Sequence, residues 1–235
     1  MYKGQKILCV IPARGGSKRV PGKNTLLLNG MPLIGYTIRA AKASKYIDRV
    51  IVSTEDETIA NVSREFGAEI PFMRSVELAT DTTPLVPVLQ DAVIQMREKE
   101  SFAPDLHVLI QPTSPFVETI DIDAVIEMIL EKETDSCVSV CEIVDRPESM
   151  YWVKDNIATS YVNVPPTRSQ DLPEMYRING AVYVTKIDTL MKGGKVFDNA
   201  SCAAVIMPRE RSIDVDTPLD FTIAEVLLTK DKGNL

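Results

Sequence analysis

Two stretches far apart in the chain hold the residue types that could grip a polyphosphate and a hard metal ion. The first runs Pro12-Ala13-Arg14-Gly15-Gly16-Ser17-Lys18-Arg19-Val20-Pro21-Gly22-Lys23-Asn24 and contains no acidic residue. Gly15, Gly16 and Gly22 let backbone N–H groups approach an anion closely, and Ser17 and Asn24 add polar groups to the turn. Arg14, Lys18 and Lys23 can neutralise a triphosphate through charge-assisted hydrogen bonds. A solvated basic turn is the plainer alternative, and the position directly after an apolar strand pattern weighs against it. The Walker A pattern would require glycine at Ser17 and Ser or Thr at Asn24, and the dinucleotide fingerprint would also require glycine at Ser17.

The second stretch is Ser212-Ile213-Asp214-Val215-Asp216-Thr217. Residues two apart in an extended segment share a side, so the two carboxylates converge. Converging carboxylates suit Mg²⁺, which takes one or two of them together with substrate phosphates. In the structural alternative Asp216 caps the following helix and Asp214 is only solvated. The anion loop favours the metal reading.

These groups need a scaffold, and the apolar pattern predicts one. Ile7–Ile11 reads as a buried strand, followed by a helix from Leu33 to about Ala43, a strand at Val50–Ser53 and a helix at Asp56–Phe66 closed by Gly67. A short strand is expected near Ile70–Met73. A helix follows from Leu85, then strand Leu106–Ile110, helix Ile120–Leu130 and strand Cys137–Cys141. Further strands are expected at Ala181–Thr185 and Ala203–Met207. The last helix starts near Thr217, where Thr217 and Asp220 suggest a capping box and Pro218 suits the first turn. Strands alternating with helices indicate an α/β fold: a three-layer, mostly parallel, Rossmann-like sheet. Ligands in such sheets bind beyond the carboxyl ends of the strands, which singles out the loops after Ile11, Ser53, Ile110 and Ile213. Residues 145–177 break the rhythm with Pro147, Pro165, Pro166 and Pro173 and the lone Trp152. They are read as an inserted arm between core segments 1–144 and 178–235.

The 235 residues carry a net charge of −7, which argues against nucleic-acid binding, whereas a cationic loop on an acidic protein suits a small polyanion. Cys9, Cys137, Cys141 and Cys202 lie at spacings that suit small buried hydrophobes better than zinc, and the only histidine, His107, stands in an apolar run. No apolar run reaches membrane-span length and the early one breaks at Pro12, so a cytoplasmic protein is expected.

Arg-Gly-Gly-Ser-Lys followed by Pro21-Gly22-Lys23-Asn24 resembles the nucleotide loop of the acylneuraminate (CMP-sialic acid) cytidylyltransferases. Arg74-Ser75-Val76-Glu77-Leu78-Ala79-Thr80-Asp81-Thr82-Thr83 and Gln111-Pro112-Thr113-Ser114-Pro115 are similar to two further signatures of that family. Phe116-Val117 stands where the family usually has Leu-Arg. The resemblance, running from about Ile7 to Phe221, implies CMP transfer from CTP to an acidic nine-carbon sugar with release of pyrophosphate. It implies that Arg74 and Thr83 hold the nucleoside and that Gln111, with an amide donor and acceptor, meets a nucleoside edge or a sugar hydroxyl. It assigns Asp214 and Asp216 to Mg²⁺, either of them able to accept a proton, and Lys23 to the triphosphate. Pro166-Thr167-Arg168-Ser169-Gln170 and Tyr176–Tyr183 resemble the family's sugar-site region. There Arg168 would pair with the sugar carboxylate, and Arg177, Asn179 and Tyr183 would line the sugar or brace the fold. The family's arm dimerises, so a homodimer is expected, with Tyr151 and Trp152 in its core or in a satellite core of one chain. N-acetylneuraminic, legionaminic and pseudaminic acids all fit this reading. The alternative of another class is a non-catalytic nucleotide-binding dimer.

Overall fold

The computed structural model describes residues 1–162 and 173–230. The chain runs β1 (Ile7–Pro12), β2 (Leu27–Leu28), β3 (Met31–Pro32), α1 (Leu33–Lys42), β4 (Arg49–Ser53), α2 (Glu57–Glu65), α3 (Leu85–Glu100), β5 (Leu106–Ile110), α4 (Thr119–Lys132) and β6 (Ser136–Glu142). It continues through β7 (Tyr151–Lys154), β8 (Ile157–Ser160), β9 (Tyr176–Lys186), α5 (Ile187–Met191), β10 (Cys202–Ile206) and α6 (Pro218–Lys230). Six strands form one sheet in the order β10-β6-β9-β5-β1-β4, parallel except for β9.

Alternation along the strands splits the core into two layers. Ile7, Cys9 and Ile11 of β1 pack with α1, α2 and α4, whereas Leu8 and Val10 face α3 and α5. The sheet is therefore the middle of three layers. Helix ends follow from local chemistry. Asp56 accepts a hydrogen bond from Ile59 N (3.0 Å) at the start of α2, and Gly67 beyond its end has φ +87°, which a side chain would resist. Thr217 and Asp220 cap α6 reciprocally, as the sequence predicts. The cysteines are free, and burial pushes the Cys137 thiol up to about 12. Burial also lowers His107 to about 3, which keeps it neutral.

One expected strand does not form. Near Ile70–Met73 the chain makes only an isolated bridge between Glu69 and Ile51, then turns away so that Arg74 N reaches Thr54 O (2.9 Å). The arm carries the antiparallel hairpin β7–β8, whose residues are exposed, including Trp152 at 66%. Among the described residues, no helix is long and apolar enough to cross a membrane.

The segment before α6 is tied to α4. Arg211 Nε and Nη2 donate to Asp121 (2.9 and 2.8 Å), and the same carboxylate accepts from Glu118 N (3.0 Å). Arg211→Met would leave a nearly buried carboxylate without its cation. Because Arg211 is itself partly exposed, the expected loss is about 2 kcal/mol, below the range for a fully buried pair. Urea unfolding measures it, and a change under about 0.5 kcal/mol would make the pair incidental.

Candidate active site

The carboxyl ends of β1 and β5 open onto one cleft, which the segment 212–217 enters at Asp216. Two bonds hold that segment: Val215 N donates to Thr113 O (2.8 Å) and Asn179 Nδ2 donates to Ser212 Oγ (2.9 Å). Asn179 also accepts from Ser139 Oγ (2.6 Å) and is only 3% exposed. It is a buried brace and not a surface for substrate. The outcome is that Lys23 Nζ meets Asp216 Oδ1 at 2.8 Å across 193 residues of sequence, with Arg19 at 3.4 Å from the other oxygen. The basic turn and Asp216 thus share a single cleft.

Two neighbouring hollows make up that cleft. One, of about 470 Å³, is lined by Ser17, Lys18, Lys23, Asn24, Thr113 and Asp216, among others. The other, of about 320 Å³, is lined by Arg74, Leu78, Thr80, Thr83 and Val88 with their neighbours. Arg14, Gln111 and Asp81 border both. The first has the charge for a triphosphate and the second the mixed apolar and polar lining for a nucleoside.

Asp81 closes the boundary between them. It pairs with Arg14 Nη1 (2.9 Å) and with Lys18, and the Lys18 ammonium holds its carboxyl below the usual range. Asp81 therefore occupies cations that a polyphosphate would claim. Asp81→Asn is expected to tighten pyrophosphate binding about three- to tenfold, the scale of one charge pair near a surface. Calorimetric titration of pyrophosphate measures this, and weaker binding would reverse the assignment.

The aspartates fit a hard cation. Asp214 is exposed on one side and crowded by protein on the other, and lost hydration raises its proton affinity, with the charge of Asp216 adding to the effect. Nearby, Thr113 Oγ1 is buried and has no hydrogen-bond partner among the described residues. Two carboxylates and an orphaned hydroxyl form an all-oxygen donor set that leaves further positions to substrate. Among the described residues no cluster of three or more His, Cys, Asp or Glu offers a self-sufficient metal cage.

Several predicted residues have other work. Gly15 N donates to Glu55 Oε1 (2.7 Å), so this N–H points at the β4 loop and not at the cleft. Gly15 is needed for packing, since a Cβ there would stand 2.5 Å from Asp56 Oδ2. Gly15 and Gly16 line neither hollow. Asn24 is buried and donates to Arg14 O (2.9 Å), fixing the turn from within. Thr83 Oγ1 borders the second hollow but bonds Thr80 and Glu77 of its own loop. Arg177 lies elsewhere, in a hollow of about 690 Å³ with Glu142, Arg209 and Glu210. Tyr183 is near Asp214 and stacks on Phe197 (6.1 Å between centroids); burial and then the charge of Asp214 raise its pKa. Arg168 lies outside the described residues. Sequence reasoning missed Glu55, Asp81 as a cation partner, and Phe197. Only Glu55 had a signal, its place just after β4.

A family model described as Cytidylyltransferase matches residues 8–186. The chain is 36% identical over 230 residues to the CMP-N,N'-diacetyllegionaminic acid synthase of Legionella pneumophila, covering 95% of this chain and 96% of that one. It is 30% identical to the pseudaminic acid cytidylyltransferase of Campylobacter jejuni, covering 94% and 96%. It is 31% identical to the N-acylneuraminate cytidylyltransferase of Escherichia coli, covering 96% of this chain and 52% of that longer one. Its fold matches a CMP:2-keto-3-deoxy-manno-octonic acid synthetase solved with CTP, with a TM-score of 0.72 at 20% identity, covering 96% and 99%.

Proposed function

This chain belongs to the cytidylyltransferase family, and we propose that it joins CMP from CTP to the anomeric C2 hydroxyl of a nonulosonic acid, releasing pyrophosphate. The observation that carries the reading is the meeting of Lys23 and Asp216 at 2.8 Å, which brings the basic turn and the Asp-x-Asp segment to one volume.

In the proposed complex Arg14, Lys18 and Lys23 take the phosphates and offset the charge that grows on the leaving pyrophosphate. Asp81 gives up its two cations as the triphosphate enters. Arg74 lines the second hollow, where a pyrimidine carbonyl would be an acceptor for its guanidinium. Asp214 and Asp216 would hold Mg²⁺, which when bound would supply Lewis-acid polarisation of the α-phosphate. Gln111 borders both hollows and is placed to orient the attacking sugar, with Arg168 on its carboxylate. As the new O–P bond forms, the bond from the α-phosphorus to the bridging oxygen breaks, pyrophosphate takes that bond's electron pair, and one of the two carboxylates, Asp214 or Asp216, accepts the hydroxyl proton.

We place the exposed apolar β7–β8 hairpin in the interface of a homodimer, where a second copy would cover Tyr151, Trp152 and Ile157. A free nucleotide substrate fits a cytoplasmic reaction. Pyrophosphate release with CTP and a panel of N,N'-diacetyllegionaminic, pseudaminic and N-acetylneuraminic acids tests the activity and ranks the sugars. The 36% identical relative puts legionaminic acid first in the panel. CTP binding without release for any sugar would favour a nucleotide-binding dimer.

A further inference from the structure

The turn after β4 touches both halves of the cleft through one side chain. Glu55 Oε1 accepts from Gly15 N (2.7 Å), in the phosphate turn, and Glu55 Oε2 accepts from Arg74 Nη2 (2.6 Å), on the nucleoside side. The carboxylate is 16% exposed and the Arg74 side chain 4%. Backbone bonds repeat the pattern: Ala13 N donates to Ser53 O (3.0 Å) and Arg74 N to Thr54 O (2.9 Å). Neither oxygen of Glu55 faces a hollow, so it does not itself bind substrate.

We infer that Glu55 is a positioning residue that couples the two halves of the nucleotide site, holding the phosphate turn and Arg74 in one arrangement that accepts base and triphosphate together. This rests on the nucleotide-site reading above. The physical case is one of satisfied donors. Without the carboxylate, Gly15 N–H and Arg74 Nη2 both lose their acceptor in a poorly hydrated place, and the two loops have no shared anchor beyond backbone bonds. With it, Arg74 is pinned through Nη2 at the edge of the nucleoside hollow. A site held before binding loses less freedom when the ligand arrives.

The coupling is tested with fragments that each probe one half. Inorganic pyrophosphate reads the turn and cytidine reads the Arg74 side, both titrated calorimetrically against wild type, Glu55→Gln and Lys23→Met. Glutamine offers one acceptor where two are needed, so Glu55→Gln should weaken both fragments severalfold and CTP by about tenfold or more. Lys23→Met should weaken pyrophosphate and leave cytidine unchanged. In turnover, Glu55→Gln should raise KM for CTP while kcat and KM for the sugar hold. Unchanged affinity for both fragments, or loss of only one, would overturn the coupling, and so would a fall in Tm with normal binding. If Glu55→Gln does not fold, Glu55→Asp keeps the charge but is too short to reach both donors, and the same pair of losses is expected. The fragment titrations need no turnover. A wild-type protein that binds CTP but transfers nothing therefore sinks the enzyme reading and leaves this inference standing.

Discussion

Asp216→Ala lowers CMP transfer by about 10²–10³-fold, the scale seen when one preorganised electrostatic group is removed from an active site. Asp216 meets the lysine of the basic turn and its charge is felt by Asp214, and in the proposed complex its loss would remove one of the two carboxylates offered to Mg²⁺. The affinity for divalent metal should fall in parallel, so that raising Mg²⁺ restores part of the lost rate. Stability should change little, because the Lys23–Asp216 pair has a carboxylate that is 46% exposed. Steady-state pyrophosphate release across a metal titration reads both effects. Near-normal turnover would remove the metal assignment.

Lys23→Met lowers kcat/KM for CTP by about 10²-fold, since a charge-assisted contact to the departing phosphates is lost while the stem volume is kept. Lys23 is only 13% exposed and lies on the inner side of the turn, so a surface lysine such as Lys18 does not replace it. The sign on metal binding separates this variant from the first. With Lys23 gone, Asp214 and Asp216 face each other without their nearest cation, and Mg²⁺ binding should strengthen or hold. Metal affinity that falls to the level of Asp216→Ala would show that Lys23 acts only by holding Asp216 in place.

The layers of the fold were legible because they depend on short-range pattern. Ile7–Ile11 alternates between two apolar faces, and the segments between strands bury one side at helical spacing; the observed elements follow closely. The missing strand at Ile70–Met73 shows the limit. Its residues are apolar enough, but Arg74 is drawn to Thr54 and Glu55, and the chain leaves the sheet to bring it there.

The sugar-side residues show a different limit. Strict alternation would put Arg177, Asn179 and Tyr183 on one face of β9. A bulge opposite Ser139 breaks that phase: Val138 pairs with Tyr183 but Val140 with Ile178. Arg177 consequently opens into a separate hollow, Asn179 is buried, and Tyr183 alone comes near Asp214.

Residue order by itself determined the cationic glycine turn, the Asp-x-Asp pair and the sheet that places both at strand ends, because charge, turn geometry and apolar period act over a few residues. Only the tertiary structure decided which groups remain free for a ligand. Gly15 N–H and Asn24 are consumed by partners within the fold, and Glu55 proves to be the link between two loops. Each N–H gives one proton, and which acceptor receives it depends on what the folded chain brings within about 3 Å.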